Sequence, residues 1–287
     1  MSVDQIPVHV VGPGSQPDTG QDLRYIDMPN DMATFSAPHI PDPQAVAHLA
    51  GAREAMRWLG HALSAYAIGD VPNIADLTRL DAESRELVSQ ILGEGEVSIL
   101  SHAEVPARCQ ESVLAGVWRT LYFDEQDRVI CDLLEVASSP HLVPAEADSD
   151  HWPAMDASGE AQEEFPNALP ILVELRAHAR SYPHDGQPHA INLTLLPLSE
   201  AEIGFVEQRL GRGPVEILSR GYGKCQVTST ATPNVWWVRF YNAMGTLILN
   251  TIEVVDIPEV VVAAEEDLRD SAQRLDEILA PYWQDEA

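Results

Sequence analysis

The stretch VSQILGEGEVSILS at 88–101 returns as VEQRLGRGPVEILS at 206–219, an offset of 118 residues (206 − 88). Val88, Gln90, Leu92, Gly93, Gly95, Val97, Ile99, Leu100 and Ser101 recur as Val206, Gln208, Leu210, Gly211, Gly213, Val215, Ile217, Leu218 and Ser219. Working outward without a gap, Leu77 to Ala145 falls on Leu195 to Ala263: Val117 and Trp118 meet Val235 and Trp236, Ile130 meets Ile248, Glu135 and Val136 meet Glu253 and Val254, and Pro140 meets Pro258. Solenoid repeats recur about every 20–50 residues, so a period this long predicts two copies of one domain-sized unit. The matched residues are mainly glycines and apolar side chains with one Trp. These types specify unusual backbone angles and a core face, and they define no catalytic set.

Upstream of the match, Val46, Leu49, Met56, Leu59, Leu63 and Tyr66 recur at three- and four-residue steps, which predicts an amphipathic helix from Pro43. Its counterpart is Ala168 to Tyr182, with Leu175 and Tyr182 above Leu59 and Tyr66 once the offset is shortened by two. A second helix follows in each copy. Asp81 can cap the earlier one, Ser199 and Glu202 form an S-x-x-E capping box for the later one, and Gly93 and Gly211 stand where a left-handed residue ends a helix. Strands follow at 97–101, 117–123 and 129–136, and again at 215–219, 235–241 and 247–255. Asp124–Asp127 and Asn242–Gly245 read as hairpin connections. Helices followed by runs of strands predict an α+β fold. The expected organisation is a Pro-rich arm over 1–44, a first α+β repeat over 45–145, an acidic linker over 146–166, and a second repeat over 167–287. Each repeat is two helices plus an antiparallel sheet; the second adds a C-terminal helix with Leu268, Ala272, Leu275, Leu279 and Tyr282 on one face.

At 287 residues with 45% hydrophobic content the chain can fill two ordinary cores. Forty-five acidic residues face seventeen basic ones, a formal charge of −28, and Lys224 is the single lysine. That surface disfavours nucleic acid and anionic lipid and suits a basic partner or simple solubility. No apolar run approaches the roughly 18 residues of a membrane span and no basic leader opens the chain, so a cytoplasmic location is expected. Cys109, Cys131 and Cys225 are far apart and form no C-x-x-C pair, which predicts reduced thiols.

The search for chemistry finds little. Gly93-Glu94-Gly95 and Gly211-Arg212-Gly213 follow a helix, whereas phosphate loops open one, so both read as turns. His178, His184 and His189 are the densest histidine group, but no H-x-x-x-H lies on one helical face, and no preformed metal site is expected. Neither a nucleophile motif nor a cofactor motif is present. Arg220-Gly221-Tyr222-Gly223-Lys224-Cys225 reads first as a tight hairpin. Its cations could instead lower the Cys225 thiol pKa and make it reactive. Trp118, Trp236 and Trp237 read first as core aromatics and second as a peptide-binding shelf. The candidate partner-binding residues are therefore Trp118, Trp236, Trp237, Arg220, Tyr222 and Cys225, with no catalytic, cofactor or metal residues.

Taken together, Gly12-Pro13-Gly14, Leu92-Gly93-Glu94-Gly95-Glu96-Val97, Gly116-Val117-Trp118-Arg119, His189-Ala190-Ile191-Asn192-Leu193-Thr194, Gly221-Tyr222-Gly223, Ile257-Pro258-Glu259-Val260 and the run Glu266 to Leu275 resemble the HupH/HyaF hydrogenase expression/formation family over nearly the whole chain. The resemblance implies a non-enzymatic accessory role in maturing a nickel–iron (NiFe) uptake hydrogenase. Its implied partners are the iron–sulfur small-subunit precursor, which carries a twin-arginine signal peptide, and a thioredoxin-like hydrogenase accessory protein. A metallocluster-insertion or thiol-active factor, and a scaffold bridging accessory proteins, are the alternative readings.

Overall fold

The computed structural model describes residues 41–147, 163–221 and 223–282. Residues 1–40 of the expected arm, most of the expected linker and Tyr222 lie outside them. In chain order the described elements are α1 (Pro43–Val46), α2 (Ala50–Ala65), β1 (Asn73–Asp76), α3 (Ala82–Leu92), β2 (Val97–Ser101), β3 (Ala107–Glu111), β4 (Val117–Phe123), β5 (Val129–Val136) and α4 (Leu142–Ala147). Then come α5 (Ala168–Asp185), β6 (His189–Asn192), α6 (Glu200–Leu210), β7 (Arg212–Ser219), β8 (Lys224–Thr230), β9 (Val235–Tyr241), β10 (Leu247–Val254) and α7 (Glu265–Leu279). The fold is α+β. Among the described residues no helix is long and apolar enough to cross a membrane.

The predicted caps form. Asp81 Oδ1 accepts from Ser84 N at 2.8 Å at the start of α3. At α6 the capping box closes, with Ser199 N donating to Glu202 Oε2 at 2.9 Å and Glu202 N to Ser199 Oγ at 3.2 Å. Gly93 and Gly211 end their helices at φ 56° and 68°, but with ψ of −163° and 169°. The chain thus leaves each helix extended, entering β7 at once after Gly211 and reaching β2 at Val97 after Gly93, through a backbone region that is essentially open only to glycine. The second glycine of each pair meets a different constraint. A Cβ on Gly95 would lie 2.1 Å from Ser112 O, and one on Gly213 would lie 2.5 Å from Thr230 O. Both glycine pairs are structural turns.

One ten-stranded sheet, ordered β1-β5-β4-β3-β2-β7-β8-β9-β10-β6, takes the place of two separate ones, and every neighbouring pair is antiparallel. Its two halves meet where β2 pairs β7: Val97 opposes Ser219, Ile99 opposes Ile217, and Ser101 opposes Val215. Ile99 and Ile217 are superposed by the sequence offset and are also direct partners. The flanking pairs are exchanged about them, so the contact is reciprocal, as around a local two-fold axis. Strands β1, β3 and β6 escaped the sequence reading. The outer two have four residues each, and β3 is ARCQE, with no β-branched or aromatic residue.

Alternate residues of the strands face two layers. On one face α2, α3 and α7 cover the first half, with Met56, Leu59, Ile91, Val117, Leu134 and Leu275 buried together. On the same face α5 and α6 cover the second half through Leu172, Leu175, Phe205 and Trp237. The opposite face carries a central core that crosses the β2–β7 junction, built from Ile99, Ile217, Cys109, Cys225, Trp118 and Trp236 and closed by Leu142, Val143 and Val261. Corresponding positions bond alike. Trp118 Nε1 donates to Ala137 O and Trp236 Nε1 to Val255 O, each at 3.0 Å. Tyr66 Oη accepts from Ser138 N and Tyr182 Oη from Asp256 N. Helix α7 departs from the expected grouping. It follows the second half in sequence but packs on α2, burying Leu268 and Leu275 in the first half's core.

Candidate functional site

Most of the residues singled out as a partner surface are internal. Trp118, Trp236 and Trp237 are 0%, 1% and 3% exposed and Cys225 is 2% exposed. Trp237 Nε1 donates to Asn250 Oδ1 at 2.5 Å, and the Arg239 guanidinium lies over its ring at 4.6 Å. The alternation that makes each Trp a strand residue also points it into a core, so exposed contact has to come from elsewhere. Strand β7 ends at Ser219 and β8 begins at Lys224, and between them Arg220 is exposed, with Nη2 3.4 Å from Ser98 Oγ. The turn's cations do not activate the thiol. Burial first, and the Glu253 carboxylate second, push Cys225 up to about 12. Burial likewise pushes Cys109 up to about 12. A buried thiol held protonated is a poor nucleophile and a poor metal ligand.

The structure does gather two of the three grouped histidines. Glu174 and His178 are four residues apart on α5, which places them one above the other on a single helix face. Gly186 ends α5 in the left-handed region at φ 60°, ψ 20°, and the chain returns within three residues to β6. This edge strand pairs β10, with His189 opposite Val254. Ile191, two residues on, lies in the core beneath α5, so His189 points to the same side and reaches the helix. His189 Nε2 is 2.7 Å from Glu174 Oε1. The imidazoles of His178 and His189 stack with centroids 3.6 Å apart and planes 5° apart. One ligand atom from each of Glu174, His178 and His189 lies within 4.8 Å of the other two. His184, exposed in the last turn of α5, does not join them. Two histidines on one helix would show in the spacing; this set is a carboxylate and a histidine at i, i+4 with a second histidine from the next strand, a juxtaposition that β6 pairing creates.

Beside this cluster the outer face of α5 is apolar. Pro166, Leu169, Pro170, Val173 and Ala177 line a shallow groove that ends at Glu174 and His178, and Val173 is 58% exposed. Helix α2 occupies the matching place in the first half, and with the offset of 116 its corresponding residues are Arg53, Glu54, Arg57 and His61, all exposed. The fold therefore accepts a charged face at this position, and the apolar face of α5 is a particular property of the second half.

Comparison with known proteins agrees with the resemblance read from the motifs. The family described as HupH hydrogenase expression protein, C-terminal conserved region, matches residues 49–157 and again 165–282. The hydrogenase expression/formation protein HupQ of Azotobacter chroococcum mcd 1 is 42% identical over 93% of this chain and 94% of its own. The hydrogenase expression/formation protein HupH of Rhizobium leguminosarum bv. viciae is 44% identical over 72% of this chain and 74% of its own. The hydrogenase-1 operon protein HyaF of Escherichia coli K12 is 33% identical over 94% of both chains. A solved structure of the hydrogenase expression protein HupH from Thiobacillus denitrificans ATCC 25259 is 32% identical, with a TM-score of 0.38 over 40% of this chain and 95% of that one. With both matched segments together spanning well over half its length, and relatives aligned nearly end to end, this chain belongs to the HupH hydrogenase expression protein family.

Proposed function

We propose that this protein is a non-enzymatic accessory factor in hydrogenase maturation that holds the iron–sulfur small-subunit precursor of a nickel–iron hydrogenase before export. The observation that carries the reading is the near end-to-end similarity to proteins named for hydrogenase expression and formation. Two physical features support a holding role. The formal charge of −28 attracts a basic segment such as a twin-arginine signal peptide. The exposed apolar face of α5 offers the same precursor a non-polar contact that ends at Glu174. A thioredoxin-like accessory protein is the second proposed partner. The thiol-active alternative loses support, because both buried thiols are held protonated.

The test is capture of the small-subunit precursor, with and without its signal peptide, by the purified protein under reducing conditions. Binding is expected to weaken with salt, since the Debye length shrinks from about 10 Å at 0.1 M to about 3 Å at 1 M. Val173→Asp is expected to weaken the apolar part of the contact at every salt concentration. Failure to bind either form with the thioredoxin-like protein present overturns the chaperone reading, and salt-insensitive binding removes its electrostatic part.

A further inference from the structure

We propose that Glu174, His178 and His189 form a binding site for a late first-row divalent metal ion, of which zinc(II) is the reference case. This goes beyond the maturation reading and does not rest on it. Two imidazoles and one carboxylate are a donor set suited to zinc, cobalt or nickel. Magnesium and calcium prefer oxygen ligands throughout. Zinc binds imidazole nitrogen at about 2.0–2.1 Å and carboxylate oxygen at about 2.0–2.2 Å, so donors sharing one ion stand up to roughly 4 Å apart. The three candidate atoms are already within 4.8 Å of one another, and binding requires the stacked imidazoles to turn out of their parallel planes so that both nitrogen lone pairs aim at one point. Each donor sits on a regular element, two on α5 and one on β6. Such placement fixes a constellation better than a loop would.

The first half of the molecule serves as an internal control. His189 opposes Val254 as Asn73 opposes Val136, and the helix offset of 116 puts Trp58 and Ala62 where Glu174 and His178 stand. The same architecture therefore forms with no donor at two of these positions, so the cluster is no requirement of folding. Three protein donors at a half-exposed location leave coordination positions open to water or to a donor from another molecule, as in zinc sites that are not purely structural. The apolar groove along Leu169, Val173 and Ala177 ends at the cluster, so a chain lying in it would pass beside the ion.

Tag-free full-length protein, stripped with chelator, is titrated with zinc(II) by calorimetry and with cobalt(II) by visible absorption. One ion per chain is expected, with cobalt d–d bands characteristic of nitrogen and oxygen ligation and no competition from magnesium. His178→Ala and His189→Ala should each weaken zinc binding at least about tenfold, as even outer-shell changes weaken metal sites by 10–100-fold. Both should abolish the cobalt bands, whereas His184→Ala should change neither. His178→Gln and His189→Asn, checked by circular dichroism and thermal midpoint, separate ligand loss from misfolding, and Glu174→Gln tests the carboxylate. Unchanged zinc affinity in folded variants at 178 and 189 overturns the proposal. So does a wild-type chain that shows no cobalt bands, whatever the variants do.

Discussion

Glu135 and Glu253 occupy corresponding places on β5 and β10, opposite Trp118 and Trp236, and both carboxyls face the central core. Glu135 is 3% exposed and accepts from His141 N at 2.8 Å. Burial pushes it from 4.5 up to about 7, and burial likewise lifts Glu111 to about 7. Each folded-state value lies above the unfolded one, so each group contributes stability that is fully present below about 4.5 and lost as pH rises through about 7. Asp76, Asp81, Asp124 and Glu202 have the opposite sign, lowered by hydrogen bonds, and matter only at acidic pH below that window. We predict that stability, followed by the thermal midpoint, rises when pH falls from 8.5 to 6, the unfolding free energy growing by on the order of 1 kcal/mol for each group raised to about 7. Glu135→Gln, which keeps an acceptor for His141 N, should flatten that dependence; an equally steep profile in the variant would contradict the assignment. The sequence showed Glu135 and Glu253 only as repeated residues. In a chain so rich in acids nothing marks a buried carboxylate until strand pairing and α4 have closed over it. Glycine was more legible, since Gly93 and Gly211 carry a backbone requirement in their own identity, whereas the clash that keeps Gly95 small comes from Ser112 across the sheet.

Among elements, the longer helices were legible in the sequence, the short α4 was not, and neither were the helices' neighbours. The apolar stripe of α7 was plain in the sequence, but its target, α2, lies about two hundred residues earlier, and periodicity carries no information about which core a stripe enters. A local detail records the packing. Gly116 has φ 77°, and a Cβ there would stand 2.1 Å from Leu268 Cδ2, while its counterpart Asn234 adopts φ 56°. Corresponding positions also carry different chemistry. Arg119 Nε and Nη2 bond both carboxylate oxygens of the buried Asp132, and in the second half Trp237 and Asn250 stand at these places. Leu275, 0% exposed, is the deepest α7 side chain. Leu275→Ala should cost about 2–5 kcal/mol in urea unfolding, and the exposed Gln273→Ala should stay within about 0.5 kcal/mol. A loss under about 1 kcal/mol at Leu275 would mean that α7 is only loosely applied to the first half.

At the scale of the molecule, the repeat was visible in the sequence but the junction was not, because the residues that join the halves are the same residues that match between them. We propose that the chain descends from a duplicated unit whose two copies pair edge to edge. The supporting features are the recurrence of element order, the double family match and the reciprocal β2–β7 register centred on Ile99 and Ile217. Pairing also protects both strands, since an unpaired β7 would present a row of backbone donors and acceptors beside Val215 and Ile217, a template for association. A fragment spanning 163–261 lacks β2 but keeps α5, α6 and strands β6 to β10, and omits α7, which serves the other half. Such a fragment should recover a partner by pairing β7 with β7 of a second copy around Ile217, giving a concentration-dependent dimer in sedimentation. Ile217→Lys puts a charge into the central core at the dyad and should block that dimer. In the full chain the same change should lower stability without altering its oligomeric state. A fragment that folds as a stable monomer would show that β7 needs no partner strand, and the reciprocal junction would then be a packing contact rather than the remnant of a symmetric pair.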